Sequence, residues 1–153
     1  MAGIKDDNVL RLMKKLNLAV EAAINSMFQE KDLTAAQCDV LNYLLTHAGP
    51  ELSATQVHRD LGLSRAAVSA LLKRLKGKGY LTFQACPHDD RQKSIVLTKK
   101  AGQIEWEMGQ RAEKLETRLF SGFSDEEQDR LEKMLGQMLL NIKKEVQEDS
   151  DEK

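Results

Sequence analysis

Between Arg59 and Lys100 the chain carries ten Lys or Arg against three Asp, although its formal net charge is only -1. Cations gathered this way suit one kind of chemistry: they hold phosphate oxygens, and an Arg can also meet the two acceptors on a guanine edge. The stretch His88 to Gly102, HDDRQKSIVLTKKAG, concentrates the feature. Asp89 and Arg91 stand two apart, so in extended backbone their side chains project the same way and the carboxylate can orient the guanidinium. From Asp125 to Lys153 the balance reverses, with ten acids against five bases. Local field rather than total charge attracts a polyanion, so the middle of the chain is the expected nucleic-acid contact.

Other chemistry finds no home in the sequence. His47, His58 and His88 share no ligand spacing, and Cys38 and Cys86 are too few for a disulfide framework or a four-thiolate site. There is no Gly-rich phosphate loop and no nucleophile elbow. No catalytic residue, metal or cofactor is expected. Cys38 reads as a small core residue, while Cys86 lies two residues from His88 in the basic stretch.

The elements that must carry the basic residues are mostly helices. Apolar residues three and four apart from Ile4 to Gln29 predict a long amphipathic first helix. Thr34 with Gln37 makes a capping box for a second, with Val40, Leu41, Leu44 and Leu45 as its stripe, and Gly49-Pro50 ends it. Ser53 with Gln56 opens a third that stops at Gly62, and Ser64 is the expected N-cap of a fourth. The period then changes. Leu81, Phe83 and Ala85 alternate with polar residues, as do Ile95 and Leu97 with Ser94 and Val96, which predicts two strands of a hairpin with a polar tip. Thr98 can cap a fifth helix to about Phe120, and Ser124 with Glu127 caps a sixth with Leu131, Met134, Leu135, Met138 and Ile142 on one stripe.

A chain of 153 residues can bury roughly 70% of its unfolded surface in one structural unit. No apolar run approaches the ~20 residues needed to cross a bilayer, and the first residues lack an export signal, so a cytoplasmic protein is expected. The order of elements predicts a mainly α fold with a small β-hairpin wing: a winged helix-turn-helix over 31–100, between an N-terminal dimerisation helix over 1–30 and C-terminal dimerisation helices over 101–153. With Val68, Leu71, Leu72 and Leu75 buried, helix 64–77 turns Arg65, Ala66, Ser69 and Lys73 outward, with Ser64 at its start. Arg65 and Ser69 can bond base edges, alanines can touch thymine methyls, and Lys73 and Arg74 suit phosphates. The stripes of the first and last helices exceed what a small winged region can cover, so Leu10, Leu12 and Leu16 with Met134, Met138 and Ile142 are the expected dimer contacts.

The stretches LTAAQCDVLNYL, LSATQVHRDLGLSRAAVSALLKRLKGKGYL and DDRQKSIVLTKKAG resemble the MarR family of bacterial transcriptional regulators. The resemblance covers nearly the whole chain and rests above all on the wing pattern of Asp, any residue, Arg, then an apolar residue and Leu-Thr, with a Gly soon after. It implies a homodimeric DNA-binding regulator, most often a repressor, that reads a pseudo-palindromic operator. Helix 64–77 would enter the major groove and wing 84–95 would bring Arg91 to the minor groove, with Lys93 on phosphate. The resemblance also implies release by a small aromatic effector, with Phe28, Tyr43, Trp106 and Met108 as candidate wall residues. Where this chain has Ala70, many family members have Arg, which shifts weight from the helix to the wing. A winged-helix module that binds protein, and a thiol-based redox sensor acting through Cys38 or Cys86, are the alternatives.

Overall fold

The computed structural model describes the backbone of residues 8–86 and 89–151, and the side chains of residues 8–86 and 91–143. Among the described residues six α-helices and one hairpin follow each other: α1 Val9–Met27, a single 3-10 turn Gln29–Lys31, α2 Ala35–Thr46, α3 Ala54–Leu61, α4 Arg65–Gly77, β1 Leu81–Cys86, β2 Asp89–Leu97, α5 Lys99–Leu119 and α6 Asp125–Asp151. They divide into two compact units, Met1–Ala112 and Glu113–Lys153. The expected mainly α fold with a β-hairpin wing is the one observed.

Local chemistry explains the boundaries. All three capping boxes form. Thr34, Ser53 and Ser124 each accept a hydrogen bond from the backbone N–H three residues on, and the side chains of Gln37, Gln56 and Glu127 accept in turn from the cap N–H. The Asn8 side chain caps α1 by accepting from the Arg11 N–H at 2.8 Å; the expected earlier start, Ile4 to Asp7, lies outside the described residues. Gly62 takes φ 67° between α3 and α4, where a side chain would be strained. Thr98 departs from expectation: its hydroxyl donates to the Gly79 carbonyl at 2.6 Å, fastening the base of the hairpin to the end of α4.

In the first unit the core gathers Leu33, Val40, Leu41 and Leu44 with Val57 of α3, Val68, Leu72 and Leu75 of α4, Leu81 and Ile95 of the hairpin and Ile104 and Met108 of α5. Helices α2 to α5 and both strands thus contribute to one core, which fixes α3 and α4 against each other. The hairpin is antiparallel with Leu81 opposite Leu97 and Phe83 opposite Ile95. Its alternation fails at Ala85, which is exposed, because the register shifts between Ala85 and Cys86 and inserts extra residues on β2. A bridge from Ser94 to Ser53 and a 2.7 Å hydrogen bond from the Ile95 N–H to the Leu52 carbonyl dock the wing on the segment before α3.

The second unit is the end of α5, a turn through Gly122 at φ 88°, and α6. Phe120 and Phe123 meet edge to face across that turn, 6.0 Å between ring centres. Leu119 is exposed, as are Met134, Leu135, Met138 and Ile142. In the first unit, Val9, Leu10, Leu12, Met13 and Leu16 of α1 are exposed as well, whereas Ala23, Ile24 and Met27 are half-buried and Phe28 is buried. No helix among the described residues is long and apolar enough to cross a membrane.

Candidate nucleic-acid interface

Helix α4 begins at Ser64, whose hydroxyl accepts from the Ala67 N–H at 3.1 Å. This cap fixes the first turn, so Arg65 and Ala66 leave the helix at its exposed N-terminal edge. The buried stripe Val68, Leu72 and Leu75 forces the opposite face outward, and Arg65, Ala66, Ser69, Ala70, Lys73 and Arg74 are all exposed. Helix α3 is held behind it by a polar clasp. The Tyr43 hydroxyl donates to the Asp60 carboxylate at 2.6 Å, and Arg59 meets the same carboxylate at 3.1 Å. The hydrogen bond from Tyr43, and then that from Arg59, hold the Asp60 carboxyl below its usual range, which favours the ionised form that the clasp uses.

Between α3, α4 and the hairpin lies an open cleft of about 330 Å³. Its floor is Val68, Leu72 and Phe83, and its walls include Thr55 and His58 of α3, Arg65, Ser69, Lys73 and Lys76 of α4, and Lys93 of β2. Four cations and no carboxylate among the described residues surround it. The Lys76 ammonium stands 5.5 Å from the Phe83 ring centre, and the His58 ring nitrogen Nδ1 meets the Leu63 carbonyl. The structure therefore brings Arg65, Ser69, Lys73 and Lys93, expected from sequence to act together, onto one cleft. Ser64, Ala66 and Arg74 share α4 with them but do not line it. Arg91 is exposed on β2 two residues from Lys93; the side chain of Asp89, its expected partner, lies outside the described residues.

Sequence reading missed Thr55, His58 and Lys76 as neighbours of this site. Lys76 lies one turn beyond Lys73 on α4, a spacing that could have placed it. His58 carries no comparable signal, since its position depends on how α3 crosses α4.

The four candidate effector residues are not brought to a common cavity among those described. Phe28, Tyr43 and Met108 are buried in the core and Trp106 is 75% exposed on α5. Cys38 is buried, and burial pushes its thiol up to about 11, with nearby Asp39 adding to the effect. Among the described residues no group of His, Cys, Asp and Glu could hold a metal ion.

A helix-turn-helix whose second helix shares a cation-lined cleft with a docked hairpin defines a winged helix-turn-helix protein. Residues 31–92 match the family model described as MarR family. Solved structures agree over most of its length. MepR of S. aureus, in a complex with DNA, is 23% identical with TM-score 0.83, covering 89% of this chain and 99% of that one. A MarR family transcriptional regulator of Listeria monocytogenes, complexed with 26mer DNA, is 20% identical with TM-score 0.82, covering 89% of each chain. BpsR of Bordetella bronchiseptica, whose DNA binding is regulated by 6-hydroxynicotinic acid, is 25% identical with TM-score 0.76, covering 86% of this chain and 93% of that one. The fold is the one these solved regulators share.

Proposed function

We propose that the chain is a homodimeric, sequence-specific DNA-binding regulator that represses transcription from a pseudo-palindromic operator. Helix 64–77 lies in the major groove, with Arg65 and Ser69 at base edges and Lys73 and Arg74 on phosphates. The wing, 84–95, brings Arg91 to the minor groove and Lys93 to the backbone. The observation that carries this reading is the cleft where Arg65, Lys73, Lys76 and Lys93 converge with no carboxylate among the described residues lining it. A surface built for the protein's own stability would pair such charges, because like charges brought together repel. One helix and one wing contact too little duplex for specificity, and two copies with readers about 34 to 36 Å apart would meet half-sites one turn apart. The exposed Leu10, Leu12 and Leu16 of α1 and Met134, Met138 and Ile142 of α6 are the surfaces proposed to join them. Release by a small aromatic compound is proposed on the likeness to BpsR.

The test is selection of bound duplexes from a random pool, followed by titration of the selected site at rising salt. Six or more phosphate contacts give a log-log slope of roughly -5 or steeper. Arg91→Ala is expected to weaken binding at least tenfold with the dimer intact. A flat salt dependence, or a pool that returns no enriched two-fold sequence, would remove the reading in favour of a protein partner.

A further inference from the structure

The joint between α1 and the winged region is clamped from three sides. After Met27 the chain makes its 3-10 turn, reverses at Asp32 and enters α2 at Ala35. Asp32 adopts φ 54° and ψ 40°, a left-handed conformation unfavourable for a residue with a side chain, so the surrounding contacts must impose it. From α1, the Asn25 side chain accepts the Ala35 N–H at 2.6 Å. From the end of α4, the Lys78 ammonium donates to the Asp32 carbonyl and, at 2.8 Å, to the buried Gln37 side chain.

The third clamp is Arg111 of α5, which the sequence did not single out. One arm of its guanidinium donates to the Met27 carbonyl at the end of α1, and the other meets the carboxylates of Glu30 and Glu107. Its plane lies 4.8 Å from the Phe28 ring centre, and Lys31 reaches Glu107 at 3.2 Å. The Arg111 side chain is only 18% exposed, so the fork is largely withdrawn from water. A single group thus joins the last carbonyl of α1, the turn after it and α5. An ammonium lacks the planar fork to do this.

We infer that Arg111 is a positioning residue that fixes the angle at which α1 leaves the winged region, and through that angle the separation of the two readers on DNA. The inference rests on the homodimer of the proposed function. A lever argument shows why stiffness matters here. Helix α1 has 19 residues, so at ~1.5 Å per residue a 10° swing at the joint moves its far end by roughly 5 Å, more than the ~3.4 Å between base pairs.

The test measures the distance between two copies of the winged region without DNA. A spin label is placed at exposed Asn42 on α2 (Asn42→Cys) in the full chain carrying Cys38→Ala and Cys86→Ser. The parent is expected to give one narrow intersubunit distance, and Arg111→Met and Arg111→Lys to at least double its width. On the selected operator, Arg111→Met should lose at least tenfold in affinity, but less than twofold on a duplex with one half-site scrambled. A merely structural role would lower the melting temperature and leave width and half-site dependence alone, and that result overturns the inference. Where Arg111→Met does not fold, Glu30→Gln makes the same comparison from an exposed partner, with a smaller broadening expected. A dimer whose distance ignores all these changes removes the inference alone; a parent with no intersubunit distance removes the dimer, and the inference with it.

Discussion

The leucines of the winged region and those of the first and last helices sit at the same helical spacing but in opposite environments. Leu41 and Leu44 are wholly buried, whereas Leu10 is 60% and Ile142 63% exposed. Fully burying a side chain of this size contributes about 1.5–3 kcal/mol, so the winged region gains from its stripe while the bare stripes gain nothing within one chain. Helix α1 crosses the divide within its own length, packing Ile24 and Met27 against the core and leaving Val9 to Leu16 uncovered. Periodicity thus reports that a face must be covered but not by which chain. Geometry decides that: the winged region covers its stripe from within the chain, while the stripes of α1 and α6 stay bare.

The largest expected effect probes the self-sufficient region. Leu44→Ala leaves a cavity between α2 and its neighbours and is expected to lower unfolding free energy by about 2–5 kcal/mol in urea denaturation followed by circular dichroism. That loss should not depend on protein concentration, since every partner of Leu44 is in the same chain. A loss that vanished on dilution would mean that the winged region borrows its core from a second copy, and the contrast between the regions would disappear.

The next effect probes the uncovered stripe. Leu16→Glu places a charge where the proposed partner helix packs, and a hundredfold weaker dimer, about 2.7 kcal/mol, is expected by sedimentation equilibrium. Helical content at low concentration should stay that of the parent. If Leu16→Glu instead unfolded the chain while it was still monomeric, the stripe would be covered from within.

Much of this fold was legible because its signals are local. Each capping box needs only two residues three apart, and Gly62 needs only its own backbone, so helix starts and the helix-turn-helix corner could be read directly. The register shift at Ala85 could not, because a bulge depends on how the two strands meet rather than on the alternation within either. The outward residues of α4 followed from its buried stripe. That Lys93 acts with Arg65 and Lys73 was expected from the family resemblance alone; the cleft they share was not legible, because the wing is docked through Leu52 and Ser53, which no basic motif marks. Arg111 is the clearest case: its partner Met27 lies 84 positions away and takes part only through a carbonyl that every residue possesses.

The smallest effect concerns the two thiols, which sharpen the comparison inside the winged region itself. Cys38 sits in the packed core, and burial pushes its thiol up to about 11. Cys86 is half-exposed at the bulge of the wing and lines an open cleft of about 590 Å³ with Arg59, Gln92 and Lys93. At pH 8 a neutral disulfide reagent should therefore modify Cys86 readily and Cys38 at least a hundredfold more slowly, at a rate set by opening of the core. Because folding raises the Cys38 pKa, its contribution to stability is whole below the unfolded thiol value of about 8.5 and is lost as pH rises towards 11. Cys38→Ala should remove that part of the alkaline decline. Modifying Cys86 adds no charge and leaves the cations of the reading face in place, so less than a twofold change in DNA affinity is expected. Equal rates at the two thiols would show that the winged region opens as freely as its hairpin; a large loss of affinity on modifying Cys86 would favour regulation by thiol oxidation at the wing.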